Sequence, residues 1–158
     1  MKPLLFLTKN QKGSRYARPM RATAVSLARV LLVSGSPTSR LTLQTLLEAG
    51  GYWVDSAASA AEAVSKLDDR EYELVLSDLH LESPEAGLRV IAHARRVDNH
   101  PATALISTHL EDSRAVSGRT LLIEPQDVPE LLTKVADLIS DRATRRLERE
   151  LKLAAAGC

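Results

Sequence analysis

A short apolar run that stops at a single acidic residue constrains the fold of this chain most. Leu74, Val75 and Leu76 lie within the stretch EYELVLSDLHLESPEAG, and Asp78 follows them. Such a run is typical of a strand that is buried on both faces of a parallel sheet. In open α/β sheets the loops after the strands bind ligands, so Asp78 is a candidate functional residue. An acid at this position can also simply begin a turn.

Strands and helices alternate along the rest of the chain. Apolar segments predict strands at residues 30–34, 52–56, 73–77, 102–107 and 120–124. Helical spacing predicts helices at residues 37–50 and 60–67, a third that holds Leu88, Ile91, Ala92 and Arg95, a weak fourth at 110–117, and a fifth that begins near Asp127. Five strands that alternate with five helices predict an α/β fold with a doubly wound parallel sheet.

Local signals place the ends of these helices. Ser36-Pro37 and Ser83-Pro84 are helix starts, because Ser caps a helix and Pro suits its first position. Gly50-Gly51 ends the first helix. The first helix has Leu43, Leu46 and Leu47 available for the core. In the second helix, apolar residues recur at helical spacing: Ala60, Ala61, Val64 and Leu67.

The last helix is predicted to continue beyond the domain. Its core stripe is formed by Val128, Leu131, Leu132, Val135, Leu138 and Ile139, and helical propensity persists through RATRRLERELKLAAA. Ala143, Leu147 and Leu151 extend an apolar line at four-residue spacing, which predicts a homodimer through this helix. The segment from Arg142 to Arg149 is expected to be an exposed face paired with Glu148 and Glu150.

Length and charge define the domain organisation. A chain of 158 residues suits one domain with short appendages: a basic tail at 1–27, a domain at 28–141 and a helical extension at 142–158. Residues 1–30 hold seven of the 21 basic residues and no acid, so the remainder carries 14 basic against 20 acidic residues, a net charge of −6. The tail is expected to be disordered, and with only two aromatic residues, Phe6 and Tyr16, it is not expected to bind nucleic acid.

Cysteine content and hydropathy indicate the compartment. The single cysteine, Cys158, excludes an intramolecular disulfide and any metal motif built on cysteines. The apolar stretch at residues 3–7 is too short for a signal peptide or a membrane span. We therefore expect a cytoplasmic protein without membrane contact.

Four blocks of the sequence resemble a known family in their order and spacing. ARVLLVSGSPTSR, ELVLSDLHL with Gly87 nine residues past Asp78, ALIST and LLIEP resemble the bacterial response-regulator receiver domain over about residues 29–140. The resemblance implies a flavodoxin-like (βα)5 fold with strand order 2-1-3-4-5. It also implies that Asp78 accepts a phosphoryl group from a histidine kinase, with magnesium, and that Ser107 is the switch hydroxyl.

The remaining pocket positions depart from the family pattern. Ser34 and Gly35 stand where the family has an acidic pair, Glu124 replaces a lysine, and Leu121 replaces an aromatic residue. Magnesium binding requires carboxylates, and phosphoryl transfer relies on cations for charge stabilisation. Glu124 would also repel Asp78 and any phosphoryl oxygens. The sequence thus predicts a degenerate pocket with no cofactor, where magnesium would bind only if the pocket were functional.

Other interpretations of the acidic residues and histidines remain open. Asp78 and Glu124 could form a relocated cation site, or they could share a proton near neutral pH. His80 and His109 are expected at the same edge of the sheet, where a pair of histidines is more often solvated than bound to a metal.

We expect a stand-alone receiver-like protein in two-component signalling, not an enzyme, that acts by binding a protein partner. Phosphorylation would be lost or very weak. A working receiver phosphorylated on Asp78 is one alternative. A flavodoxin-like nucleotide binder or enzyme is another, although its strand-end loops lack phosphate-binding chemistry.

Overall fold

The computed structural model describes residues 28–106, 121–123 and 128–157. The five strands are β1 (Arg29–Val33), β2 (Trp53–Ala57), β3 (Leu74–Asp78), β4 (Ala102–Ile106) and β5 (Leu121–Ile123). The helices within the described residues are α1 (Pro37–Ala49), α2 (Ala60–Asp69), α3 (Ala86–Ala94) and α4 (Val128–Ala156). The predicted tail at 1–27, the helix at 110–117 and the cap at Asp127 lie outside the described residues.

The strands form one parallel sheet in the order β2-β1-β3-β4-β5, which confirms the predicted fold class. Val33 of β1 is level with Ser77 of β3, and Asp78 is level with Ile106 of β4. The carboxyl ends of β1, β3 and β4 therefore meet at one edge of the sheet. This edge holds the candidate site.

Alternating side chains of the buried strands build a core on each face of the sheet. On one face, Leu31, Val33 and Val75 pack with α2 and α3. On the other face, Leu32 and Leu74 pack with α1 and α4. Because both faces are covered by helices, the central strands read as continuous apolar runs in the sequence.

Several predicted boundaries were wrong by one residue. β1 and β2 begin at Arg29 and Trp53, and β3 includes Asp78, which was expected just past its end. The backbone ladder explains the difference at β3, because the amide of Leu79 still donates to the carbonyl of Ile106 at 3.1 Å. A polar side chain at a sheet edge does not end a ladder whose hydrogen bonds use the backbone.

The predicted start of the third helix was also wrong. Ser83 and Pro84 form a turn in which the carbonyl of Ser83 accepts a hydrogen bond from the amide of Ala86 at 3.2 Å, and α3 begins only at Ala86. Ser36, in contrast, caps α1 as predicted and accepts a hydrogen bond from the amide of Ser39 at 3.3 Å. Of the three leucines of α1 that were available for the core, Leu43 and Leu47 are buried and Leu46 is half-buried.

The last helix continues to Ala156, as predicted. Leu131 and Val135 are buried against the sheet, and Leu138 and Ile139 pack at the border of that core. The expectation that the whole segment from Arg142 to Arg149 is exposed was wrong at its first residue. The remaining residues of α4 beyond Arg142 are exposed.

Arg142 is only 7% exposed, and its Nη2 and Nε donate hydrogen bonds to the carbonyls of Asn99 and His100, at 2.7 and 3.0 Å. Those carbonyls belong to a turn in which His100 has a positive φ of 45°, so they have no strand partner there. The long cationic side chain of Arg142 is buried because it donates hydrogen bonds to the carbonyls of this turn. Helical periodicity alone does not predict such burial.

Candidate functional site

Asp78 is half-buried at the carboxyl end of β3, beside the loop that follows β1. The strand order brings this about: β1 is hydrogen-bonded to β3, so the residue after Val33 lies next to the end of β3. Ser34 and Gly35 therefore lie beside Asp78. Ser34 is fully buried, although serine is a residue type that is mostly exposed.

The side chain of Ser34 and the backbone amide of Gly35 are hydrogen-bond donors beside the carboxylate of Asp78, and the Ser34 hydroxyl also donates to the carbonyl of Ser36 at 3.5 Å. Burial raises the pKa of Asp78 above its ordinary value, because removal from water disfavours the charged form. The donors of Ser34 and Gly35 and the charge of His80 lower the pKa in part, without cancelling the effect of burial. The pocket thus solvates the carboxylate with neutral donors of the protein.

The loop after β1 is held in place from both sides. The amide of Ser34 donates to the carbonyl of Ala57 at 3.0 Å, and the guanidinium of Arg40, on α1, donates to the carbonyl of Ser34 at 2.7 Å. Arg40 was not identified from the sequence. Its position as the fourth residue of the first helix, one turn after the β1 loop, was the available signal.

The loop after β3 is anchored to α2 by Glu82. The carboxylate of Glu82 accepts hydrogen bonds from the amide of Ala60 at 3.2 and 3.3 Å, and it lies 4.0 Å from the guanidinium of Arg89. Backbone amides, its own and that of Ala60, lower the pKa of Glu82. An acid that meets the first amides of a helix is stabilised there by the helix dipole. Sequence reasoning missed Glu82, because its partner lies 22 residues away.

Gly87 brings α3 against the end of β3. A Cβ at this position would overlap the carbonyl oxygen of Asp78 and would lie 2.7 Å from that of Leu79. Only glycine allows this approach. The glycine nine residues past Asp78 is therefore a structural requirement of the loop that carries the candidate residue.

The other predicted site residues are only partly described. Ser107, Glu124 and His109 lie outside the described residues. Leu121 begins β5, level with Ala104 of β4. His80 is exposed in the loop after β3, close enough for its charge to act on Asp78.

The described residues around Asp78 do not fit a magnesium site. Magnesium prefers several oxygen ligands in octahedral geometry, with carboxylates among them. Here the groups beside the carboxylate are a serine hydroxyl and a backbone N–H, and neither supplies a second carboxylate for the cation. Within residues 28–106, 121–123 and 128–157, no group of three or more acidic, histidine or cysteine side chains is arranged to hold a metal.

A family model described as the response regulator receiver domain matches residues 30–123. A curated relative, the gliding motility regulatory protein of Myxococcus xanthus, is 35% identical over 102 residues, which make up 64% of this chain and 13% of the relative. This chain therefore spans only a small part of that relative's length.

Solved structures share the fold. A response regulator receiver protein from Sinorhizobium medicae is 23% identical with a TM-score of 0.65, and the match covers 75% of this chain and 99% of that one. The signal receiver domain of an HD domain-containing protein from Pseudomonas fluorescens is 24% identical with a TM-score of 0.69, covering 80% and 96%. The response regulator TrrA from Thermotoga maritima, in complex with Mg²⁺ and BeF, is 25% identical with a TM-score of 0.63, covering 71% and 99%.

In the described part of this chain, no helix has both the length and the hydropathy required to cross a membrane.

Proposed function

Because this chain belongs to the response regulator receiver family of two-component signalling, we propose that it signals by binding a protein partner, with phosphorylation of Asp78 lost or very slow. One observation carries this proposal: Ser34 and Gly35, which bear no charge, lie beside Asp78 at the carboxyl ends of β1 and β3. Family members bind magnesium at this site through acidic side chains. In this chain, neutral donors of the protein surround the acid instead.

The replacement of the acidic pair by Ser34 and Gly35 is expected to slow the phosphoryl-transfer step. In that reaction the protein contributes mainly positioning and charge stabilisation, and cations neutralise the charge on the phosphoryl oxygens. Ser34 and Gly35 bring no negative charge that would attract magnesium, and Glu124 replaces the family lysine with a negative charge. Since each ~1.4 kcal/mol in the barrier changes a rate about tenfold, we expect these changes to slow transfer by orders of magnitude.

Incubation with acetyl phosphate and magnesium, followed by intact-mass spectrometry, tests the proposal. We expect no phosphoryl adduct under conditions in which a receiver with the acidic pair is fully modified. An adduct that forms readily on the chain and is lost in Asp78→Asn would contradict the proposal and support a working receiver. The same Asp78→Asn variant shows whether any slow modification occurs at this residue.

We further propose that the partner is a histidine kinase or another signalling protein, and that a second copy of the chain binds through α4. The exposed leucines of α4 support the dimer: Leu147 is 57% exposed and Leu151 is 61% exposed, one turn apart. An isolated helix end has little reason to persist in water without a packing partner. Affinity capture from the native cell with wild-type protein and with Asp78→Asn would identify the partner and show whether Asp78 affects its binding.

A further inference from the structure

A cleft lined by arginines lies at the edge of the sheet opposite Asp78. Its walls are α4, the end of α3 and the turn before β4, and its volume is about 690 Å³. Ala102, at the start of β4, is level with Leu74 at the start of β3. The cleft is therefore separated from Asp78 by the length of β3, roughly 13 Å along the strand. It does not belong to the candidate site described above.

Five arginines line this cleft, against a single acidic residue, Asp98. The arginines are Arg95 at the end of α3 and Arg142, Arg145, Arg146 and Arg149 on α4. The four on α4 follow the spacing i, i+3, i+4 and i+7, so they share one face of the helix. Like charges at these spacings destabilise a helix, so this stripe has an energetic cost that a bound anion would offset.

Carboxylates act on part of this charge, since Glu73 and Glu71 both favour the charged form of Arg142. Arg146 lies 3.6 Å from Glu150, whereas Arg145 and Arg149 form no ion pair with a described carboxylate. This arrangement stands out because the chain outside residues 1–30 is acidic overall. Clefts lined by one sign of charge concentrate ligands of the opposite sign.

Arg142 gives the cleft a fixed donor. Its hydrogen bonds to the carbonyls of Asn99 and His100 use two of the five N–H groups of the guanidinium and set its position in the wall. A guanidinium that is already ordered loses less conformational entropy when it binds a ligand. The exposed side chains of Arg145 and Arg149 lie on the same face of α4, so they can bind the same ligand as Arg142.

We propose that this cleft binds a small molecule that carries adjacent phosphate groups. Guanidinium groups bind phosphate oxygens in pairs through their planar forks, and neighbouring arginines about 5–6 Å apart suit neighbouring phosphates. The volume lies within the range of small-molecule sites, about 300–1,000 Å³. Pro101, Ala102 and Leu138 provide an apolar wall for the rest of the ligand.

The lining residues favour a small ligand over a nucleic acid strand. Proteins that bind single strands combine a long basic groove with aromatic side chains on which bases stack. Among the described residues that line this cleft, none is phenylalanine, tyrosine or tryptophan. Asp98 would also repel a continuous phosphate backbone, while its carboxylate can accept hydrogen bonds from hydroxyl or amino groups of a small ligand.

Isothermal titration calorimetry with inorganic pyrophosphate, on the full 158-residue chain without divalent metal, tests the proposal. We expect saturable binding at one site per chain and weaker binding of inorganic orthophosphate. The double variant Arg145→Gln with Arg149→Gln should weaken pyrophosphate binding at least about tenfold, because it removes two phosphate contacts. Arg142 is kept, since its loss would disturb the turn at His100.

The matched control is Lys134→Gln with Lys152→Gln, which removes two positive charges from the same helix outside the cleft. We expect its affinity to stay within about twofold of wild type, because only the long-range charge changes. Absence of saturable binding would overturn the proposal, and so would an equal loss in both double variants. Orthophosphate binding as tight as that of pyrophosphate would refute the adjacent-phosphate assignment. A single-stranded oligonucleotide that binds more tightly and loses affinity only in the arginine variant would refute the small-molecule assignment.

Discussion

The backbone of Gly87 lies so close to Asp78 that a Cβ at position 87 would overlap the carbonyl oxygen of Asp78. The amide of Gly87 also donates a hydrogen bond to the carbonyl of Leu79 at 3.1 Å. The start of α3 therefore rests directly on the last residue of β3. The position of the candidate acid and the packing of this helix depend on the same contact.

Replacement of Gly87 by alanine should destabilise the fold, because the new methyl group must displace backbone atoms. Overpacking of this kind costs about 1–3 kcal/mol, and rigid backbone neighbours place the cost at the upper end. The measurement is urea unfolding followed by circular dichroism. Gly35→Ala is the matched control: its Cβ would lie 3.8 Å from the nearest atom, the carbonyl oxygen of Ala58. Equal stability of the two variants would show that the close approach at Gly87 is not required.

The stability of the protein should depend on the ionisation of Asp78. Burial raises the pKa of Asp78, so the folded state binds this proton more tightly than the unfolded state does. The resulting stabilisation is fully present below the ordinary pKa of 3.8 and is lost as the pH rises through the higher pKa of the folded state. The side chain of Asp78→Asn cannot ionise, so this loss does not occur in the variant. Its free energy of unfolding minus that of wild type should therefore increase between pH 3.8 and the pKa of Asp78 in the folded state, and it should stay constant at higher pH.

Urea unfolding of wild type and Asp78→Asn at a series of pH values checks this expectation. The exposed Asp137→Asn on α4 is the control, and its difference from wild type should show no such increase. If the stability of Asp78→Asn relative to wild type instead decreases as the pH rises, the effect of Ser34 and Gly35 on the pKa of Asp78 outweighs that of burial.

Acidic residues restored beside Asp78 should create a magnesium site. Gly35→Asp is tolerated, since there is space for a side chain and Gly35 does not have the positive φ that favours glycine. Ser34→Asp places a carboxylate at a fully buried position, so the Ser34→Asp and Gly35→Asp double variant should be less stable than wild type without metal. Millimolar magnesium should raise its melting temperature and leave that of wild type unchanged.

Trp53 fluorescence is not a suitable signal for magnesium binding, because Trp53 is level with Arg29 at the opposite edge of the sheet from Asp78.

Addition of Glu124→Lys to the double variant should allow phosphorylation by acetyl phosphate, and further addition of Asp78→Asn should abolish that phosphorylation. If the folded triple variant neither binds magnesium nor accepts phosphate, the mapping of Ser34, Gly35 and Glu124 onto the family positions is wrong.

Loss of the exposed leucines on α4 should dissociate a dimer. Leu147→Gln with Leu151→Gln removes the apolar line, and light scattering should then give the mass of a monomer. Leu153→Gln is the control: Leu153 is 67% exposed on the same helix, but it points away from that line. A wild-type chain that is already monomeric at high concentration would contradict the dimer.

The sequence was sufficient for the fold because its central strands are apolar on both faces. Val30 to Val33 and Leu74 to Leu76 have only one place in a layered α/β domain, between two sets of helices. The signal at the last helix was also reliable, since Leu131 and Val135 recur at helical spacing and are buried. Periodicity predicts burial wherever burial depends on apolar surface alone.

The polar contacts of the site and of the arginine-lined cleft could not be predicted in the same way. Arg40 binds the carbonyl of Ser34, Glu82 binds the amide of Ala60, and Arg142 binds the carbonyls of a distant turn. Each contact joins a charged side chain to backbone groups whose position follows from the fold. Such side chains look like solvated surface residues in the sequence, because nothing in their own segment reveals the unpaired backbone group that they satisfy.

The unbroken course of α4 has a rotational consequence. Leu131 and Val135 fix the helix against the sheet, and no break lies between them and Ala156, so the angular setting of the free end is transmitted from the core. One inserted residue after Arg142 would turn everything beyond it by about 100° and advance it by about 1.5 Å. That twist would move Arg145 and Arg149 out of phase with Arg142 and redirect Leu147 by the same angle. The direction in which each face of the free end of α4 points is therefore fixed relative to the sheet.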